Sequence, residues 1–128
     1  MTLIESLNKP RRLRRSLPMQ DDVVRICWLM EAATAAAFAV PVDDLRAPSR
    51  RTAAVAFARQ SAMYIAHVVL RLSFSTIGRL FHRDRTTASH ACQLVEKRRD
   101  DPAIDRLLDM LEGVCSEIAR GIQPKAQV

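Results

Sequence analysis

Residues 79–92 read RLFHRDRTTASHAC, and the fold depends on how this stretch is divided. Upstream of it, Ser73 or Ser75 can cap a short helix whose apolar face is Ile77, Leu80 and Phe81. The pattern breaks at His82–Asp84. It resumes as a second helix from about Arg85 to Arg99, with Ala88, Ala91, Cys92 and Val95 turned toward a core. A short helix, a tight turn and a longer helix form a helix-turn-helix arrangement, in which the first residues of the second helix face outward and are free to touch a partner.

The flanking sequence supports an all-α fold. Glycine is scarce, aromatics are few, and alanine, leucine, valine and arginine dominate, a balance that favours helices over sheet. Residues 1–20, with two prolines and the cluster KPRRLRR, read as a flexible basic tail, either solubilising or a DNA-contacting arm. From Asp21 or Asp22 a capped helix is expected, with Val23, Ile26, Cys27, Met30, Ala33, Ala37 and Phe38 at helical spacing, ending before Pro41. Pro41 and Pro48 then interrupt the periodicity, with room for a short turn of helix at Asp43–Leu45, and a basic loop runs from Arg46 to Arg51. A long helix follows, with Val55, Ala58, Ala62, Ile65, Val69 and Leu72 facing inward. A last helix begins near Pro102 and presents Ile104, Leu107, Leu108, Leu111, Val114, Cys115 and Ile118 as its apolar stripe. The expected organisation is a tail at 1–20, a helix-turn-helix domain at 21–100, an amphipathic helix at 101–120 packing on it, and a tail at 121–128.

Charge is distributed unevenly along the chain. The formal net charge is +6, and 17 of the 20 basic residues are arginine, the side chain suited to forked contacts with phosphate and guanine. Residues 46–99 hold eleven basic side chains against Asp84 and Glu96, whereas residues 100–128 hold three basic and six acidic ones. The positive field therefore lies over the helix-turn-helix segment, as a polyanion-binding face requires. Three widely spaced cysteines without a C-x-x-C pair read as small buried apolar groups in a reducing compartment. No long apolar run reads as a membrane span or a secretory signal, so no membrane partner is expected and the expected location is the cytoplasm.

Asp84, Arg85, Thr86 and Thr87 occupy the outward end of the second helix. Arginine can bind guanine O6 and N7 together, threonine can offer a methyl to thymine or a hydroxyl to a base or phosphate, and aspartate can accept from cytosine N4. The plainer alternative is that Asp84 only caps the helix, the threonines fill its first turn and Arg85 is solvated. The basic loop at Arg50–Arg51 precedes a helix that should pack beside the pair, which would let one arginine enter a neighbouring minor groove.

The stretch ARQSAMYIAHVVLRLSFSTIGRLFHRDRTTASHACQLVEK, residues 58–97, resembles the C-terminal DNA-binding domain of the bacterial replication initiator DnaA. That family's hallmark reads approximately R-Q-x-A-M-Y, then I-G, then F-G-R-D-H-T-T-V-x-H-A, and the densest agreement is at Arg83, Asp84, Thr86, Thr87, His90 and Ala91. The resemblance begins around residues 40–51. It implies a helix-turn-helix that recognises the DnaA box, a duplex resembling TTATNCACA, on the bacterial nucleoid. By the same resemblance Arg51 is the loop arginine of the minor groove, Asp84, Thr86 and Thr87 belong to the major-groove reading motif, and His90 lies near the backbone. Arg50, Arg59, Gln60, Ser75 and Thr76 are implied phosphate contacts, and Arg83 and Arg85 complete the expected DNA-binding set. Two residues depart from the pattern: Arg85 replaces the family's histidine and His82 its glycine.

Neither a phosphate-binding G-x-x-x-x-G-K-[ST] loop nor room for the family's ATPase domain is found in the 128 residues, so ATP-driven initiation is not expected of this chain alone. No H-E-x-x-H, G-x-S-x-G or paired-carboxylate pattern points to catalysis, His67, His82 and His90 have no metal-ligand spacing with the cysteines, and no cofactor is expected. The expected function is sequence-specific binding of double-stranded DNA at DnaA-box-like sites, regulating replication initiation or transcription. The alternative is an interaction or dimerisation module that keeps the fold without box reading, with the C-terminal helix as its candidate self-association surface.

Overall fold

In the computed structural model the described residues are 17–47 and 52–122, and they form five α-helices and one 3-10 turn. Helix α1 is Leu17–Phe38, so it begins before the expected capping aspartates, and Asp22 lies within it, ion-paired to Arg25. The helix closes on Ala39, which takes a left-handed φ of 57° while the Val40 N–H returns 3.0 Å to the Ala35 carbonyl. This is the usual geometry of a helix C-terminus, here reached without glycine. The 3-10 turn Val42–Arg46 follows and buries Leu45.

Helix α2, Ala53–Leu70, starts on Thr52, whose hydroxyl accepts from the Val55 N–H at 3.1 Å. It contacts all four other helices and the 3-10 turn. Val55, Ala58, Ala62, Ile65 and Leu72 are buried as expected and Val69 partly so, but Phe57, Met63, Tyr64 and Ala66 are buried too. By length and composition α2 could cross a membrane. Its position between packed neighbours accounts for that apolarity, since a helix covered on several sides is apolar on several sides.

Helix α3, Phe74–Leu80, is capped by Ser73, not Ser75, through a 3.2 Å bond from the Thr76 N–H. Helix α4, Arg85–Arg98, buries the expected Ala88, Ala91, Cys92 and Val95. Helix α5, Pro102–Ile122, packs on α1 and α2. It buries Leu108, Leu111 and Cys115, with Ile104, Leu107 and Ile118 partly buried. Val114, expected in the apolar stripe, is instead 44% exposed, because it sits on the shoulder of the helix away from α1 and α2.

The three cysteines are free and buried. Burial pushes the thiols of Cys27 and Cys92 up to about 12 and that of Cys115 to about 11, so all three remain neutral packing groups.

Candidate nucleic-acid interface

The turn between α3 and α4 is held by main-chain bonds and by one glycine. The Phe81 N–H donates to the Ile77 carbonyl at 3.0 Å and the Arg83 N–H to the Gly78 carbonyl at 2.7 Å. A Cβ on Gly78 would lie 2.6 Å from the Arg83 carbonyl oxygen, closer than any side chain tolerates, so only glycine lets the turn fold this tightly over α3. His82 at the apex has a φ of 56°, the left-handed conformation at the position where the family pattern carries glycine.

Asp84 then caps α4, its Oδ1 accepting from the Thr87 N–H at 2.8 Å. That backbone bond first, then the Thr87 hydroxyl and the Thr86 N–H, hold its carboxyl below the usual carboxylate range. An anionic Asp84 is thereby kept on the positive end of the helix. Arg85, Thr86, Thr87 and His90 are exposed on the turns that follow. The opposite side of the same helix is fixed by Ala88 and Ala91 against the core. Capping and exposure therefore coexist at Asp84, which leaves one carboxylate oxygen outside the bond to the Thr87 N–H.

A cleft of about 500 Å³ runs between α2 and α4, and Gln60, Arg83, Asp84, Thr86, Thr87 and His90 all border it. The structure thus gathers seven of the expected site residues around one groove, counting Arg59. Arg59 borders the groove as well but differs from the expected phosphate clamp. It is 6% exposed, donating from Nε to the Leu45 carbonyl at 2.9 Å and from one terminal nitrogen to the Asp44 carbonyl at 3.0 Å. Buried guanidinium hydrogen bonds to main-chain carbonyls are a fixture of the fold, and Arg59 braces the 3-10 turn. Thr76 departs in the same way: it is 7% exposed and its hydroxyl accepts from Ser73, while the neighbouring Ser75 is exposed. Arg50 and Arg51 lie outside the described residues.

Sequence reasoning missed the supports of the site. Arg83, expected among the DNA-binding residues, has one terminal nitrogen that donates 2.8 Å to the Ala47 carbonyl. Arg46 forks onto Glu31 at 2.9 and 2.6 Å and lies 5.6 Å over the Phe81 ring, tying α1 to the end of α3. At the far end of α4, Arg99 is paired with Asp105, Asp109 and Glu112 and donates 3.1 Å to the Tyr64 hydroxyl, which itself donates to Glu96. The acidic composition of α5 was the available signal: those carboxylates ring one arginine.

A family model described as the bacterial dnaA protein helix-turn-helix matches residues 29–95. The chain is similar to the chromosomal replication initiator protein DnaA of Thermodesulfovibrio yellowstonii, with 34% identity over 101 residues, 77% of this chain and 23% of that protein. It is likewise similar to the DnaA of Clavibacter sepedonicus, 46% identical over 71 residues, 52% of this chain and 15% of that protein. With the DnaA of Mycobacteroides abscessus it shares 45% identity over 79 residues, 62% of this chain and 16% of that protein. The chain therefore spans less than a quarter of the length of each of these relatives.

Proposed function

Since the chain belongs to the bacterial DnaA helix-turn-helix family, we propose that it binds double-stranded DNA at DnaA-box-like sites, with the first turns of α4 in the major groove. The observation that carries this reading is the grouping of Arg85, Thr86, Thr87 and His90, all exposed, at the start of a helix whose other face is locked into the core. A rigid helix presenting exposed polar side chains at its N-terminal end is what base reading requires.

In this assignment Asp84, Arg85, Thr86 and Thr87 read bases, His90 and Ser75 face the backbone, and Gln60 reaches it across the cleft. Arg51 supplies the minor-groove contact and Arg50 a phosphate contact. The role is binding in the service of replication initiation or transcription. Nucleotide hydrolysis is not assigned to these residues, whose sequence holds no phosphate-binding loop. The site of action is the bacterial cytoplasm, on the nucleoid.

The test is titration of the chain against a box duplex and a scrambled duplex across a range of salt. Specific reading gives a box preference that persists as the salt-dependent part of the affinity falls away. Equal, purely salt-sensitive affinity for both would overturn the reading and leave an interaction module in the same fold.

A further inference from the structure

Among the described residues, six large apolar side chains stand exposed, and none is on α3 or α4. Trp28 and Leu29 are on α1, Val42 is on the 3-10 turn, Val68 is on α2, and Met110 and Val114 are on α5. Helix α5 holds the most ordered pattern. Opposite its buried Leu108, Leu111 and Cys115 run Arg106, Met110, Gly113 and Glu117, all exposed and spaced four, three and four residues apart. At 3.6 residues per turn that spacing keeps the four in one narrow seam.

The glycine in this seam has no explanation among the described residues. Gly113 has no left-handed backbone, and a Cβ built on it would meet nothing within 4 Å. Glycine is nonetheless among the least favourable residues in a helix interior. Its common use is to let another backbone or side chain come close, and here it faces solvent beside Met110, 53% exposed.

We propose that α5 pairs antiparallel with α5 of a second copy of this chain, about a two-fold axis lying between the levels of Met110 and Gly113. The seam is self-complementary under that operation. Met110 of each copy covers Gly113 of the other, and Arg106 of each faces Glu117 of the other, so the ion pair forms twice. A two-fold interface demands this kind of self-matching surface, and a flexible methionine over a glycine gap fills such a contact readily. Glu117 already accepts from Arg120 at 2.8 Å with both side chains well exposed, which leaves it open to a second cation. Helix α5 packs on α1 and α2, so pairing through its outer seam leaves the first turn of α4 open in both copies. The inference stands apart from DNA reading and survives if that reading fails.

Sedimentation equilibrium of the full chain over a range of concentrations tests it. The expected result is a monomer–dimer equilibrium that Gly113→Leu abolishes while helicity and affinity for a single-box duplex are unchanged. Arg106→Glu and Glu117→Arg should each weaken dimerisation about tenfold by replacing two attractions with two repulsions, and the double swap should restore it. A chain that stays monomeric at every concentration would overturn the proposal. So would a double swap that dimerises no better than the single variants, because the register would then be wrong.

Discussion

The Arg83 guanidinium donates to the Ala47 carbonyl at 2.8 Å, bolting the turn before α4 to the chain that leaves the 3-10 turn thirty-six residues earlier. The same segment is gripped twice more, by Arg59 at the Asp44 and Leu45 carbonyls and by Glu31 through Arg46. Part of the positive charge near the site therefore holds main-chain oxygens and a buried carboxylate in place. Removing the clamp by Arg83→Ala should destabilise the fold by about 1.5–3 kcal/mol, the range for a hydrogen bond to a charged group. It should also lower box affinity more than Arg79→Ala, an exposed neighbour without the Ala47 bond. Urea midpoints and duplex titrations of both variants check this.

Gly78 makes a sharper case. A methyl at this position would stand 2.6 Å from the Arg83 carbonyl oxygen and 3.1 Å from the Asp84 carbonyl carbon, so Gly78→Ala must displace backbone on the far side of the turn. Overpacking of this kind costs about 1–3 kcal/mol. The displaced residues lead straight into α4, so box affinity should fall along with the melting temperature. Unchanged melting in Gly78→Ala would mean that the turn is looser than these distances.

His82 invites the opposite change. A left-handed non-glycine residue costs roughly 1–2 kcal/mol, and glycine returns up to about 1 kcal/mol of that in chain entropy. His82→Gly should therefore stabilise by up to about 1 kcal/mol, read as a higher urea midpoint at an unchanged slope. Destabilisation would show that the exposed imidazole makes a contact that outweighs the backbone strain.

These positions also mark what was legible in the sequence. The helix-turn-helix, its Asp84 cap and the inward Ala88, Ala91, Cys92 and Val95 followed from short-range spacing, which a helix converts directly into a face. The role of Arg59 and Arg83 was not legible. An arginine on a helix or turn looks the same whether its guanidinium meets solvent or a carbonyl many residues away, and only the tertiary fold brings Ala47 and Leu45 within reach. Thr76 shows the same limit at shorter range, since choosing Ser73 over Ser75 as the cap is what draws Thr76 inside. Val114 fitted the apolar stripe of α5 by spacing and still lies outside the core, because α1 and α2 cover a narrower arc of that helix than its apolar residues occupy.

Asp84 gives the site an acid limit. Its folded carboxyl titrates below the usual carboxylate range because of the Thr87 N–H, the Thr87 hydroxyl and the Thr86 N–H. A group whose folded value is depressed contributes stability that is fully present above its unfolded value and is lost as pH falls through the folded one. The cap should therefore hold at neutral pH and weaken only under acid conditions, below the range where free carboxylates titrate. In Asp84→Asn, which keeps a capping oxygen but cannot titrate, that part of the acid dependence should vanish. Urea midpoints of both proteins, followed from neutral to acid pH, would refute the assignment if the two curves ran parallel.

Arg85 is the residue by which this chain should differ from its relatives. It stands exposed at the first helical position of α4, next to an aspartate engaged by Thr87 and where the family pattern has histidine. A neutral imidazole offers one donor and one acceptor, whereas a guanidinium offers donors only, in a rigid fork. That fork matches the paired O6 and N7 acceptors of guanine and discriminates against the wrong base by about 1–3 kcal/mol. The preferred site should thus be a variant DnaA box with a guanine, on either strand, opposite the start of α4. Arg85→His should move the preference toward the family's usual box, since the cap, the turn and Thr87 are untouched by the change. Selection of bound duplexes from a random pool by both proteins measures this directly. If both select the same sequence and differ only in affinity and salt slope, Arg85 is holding a phosphate, and the reading of bases rests on Asp84, Thr86 and Thr87 alone.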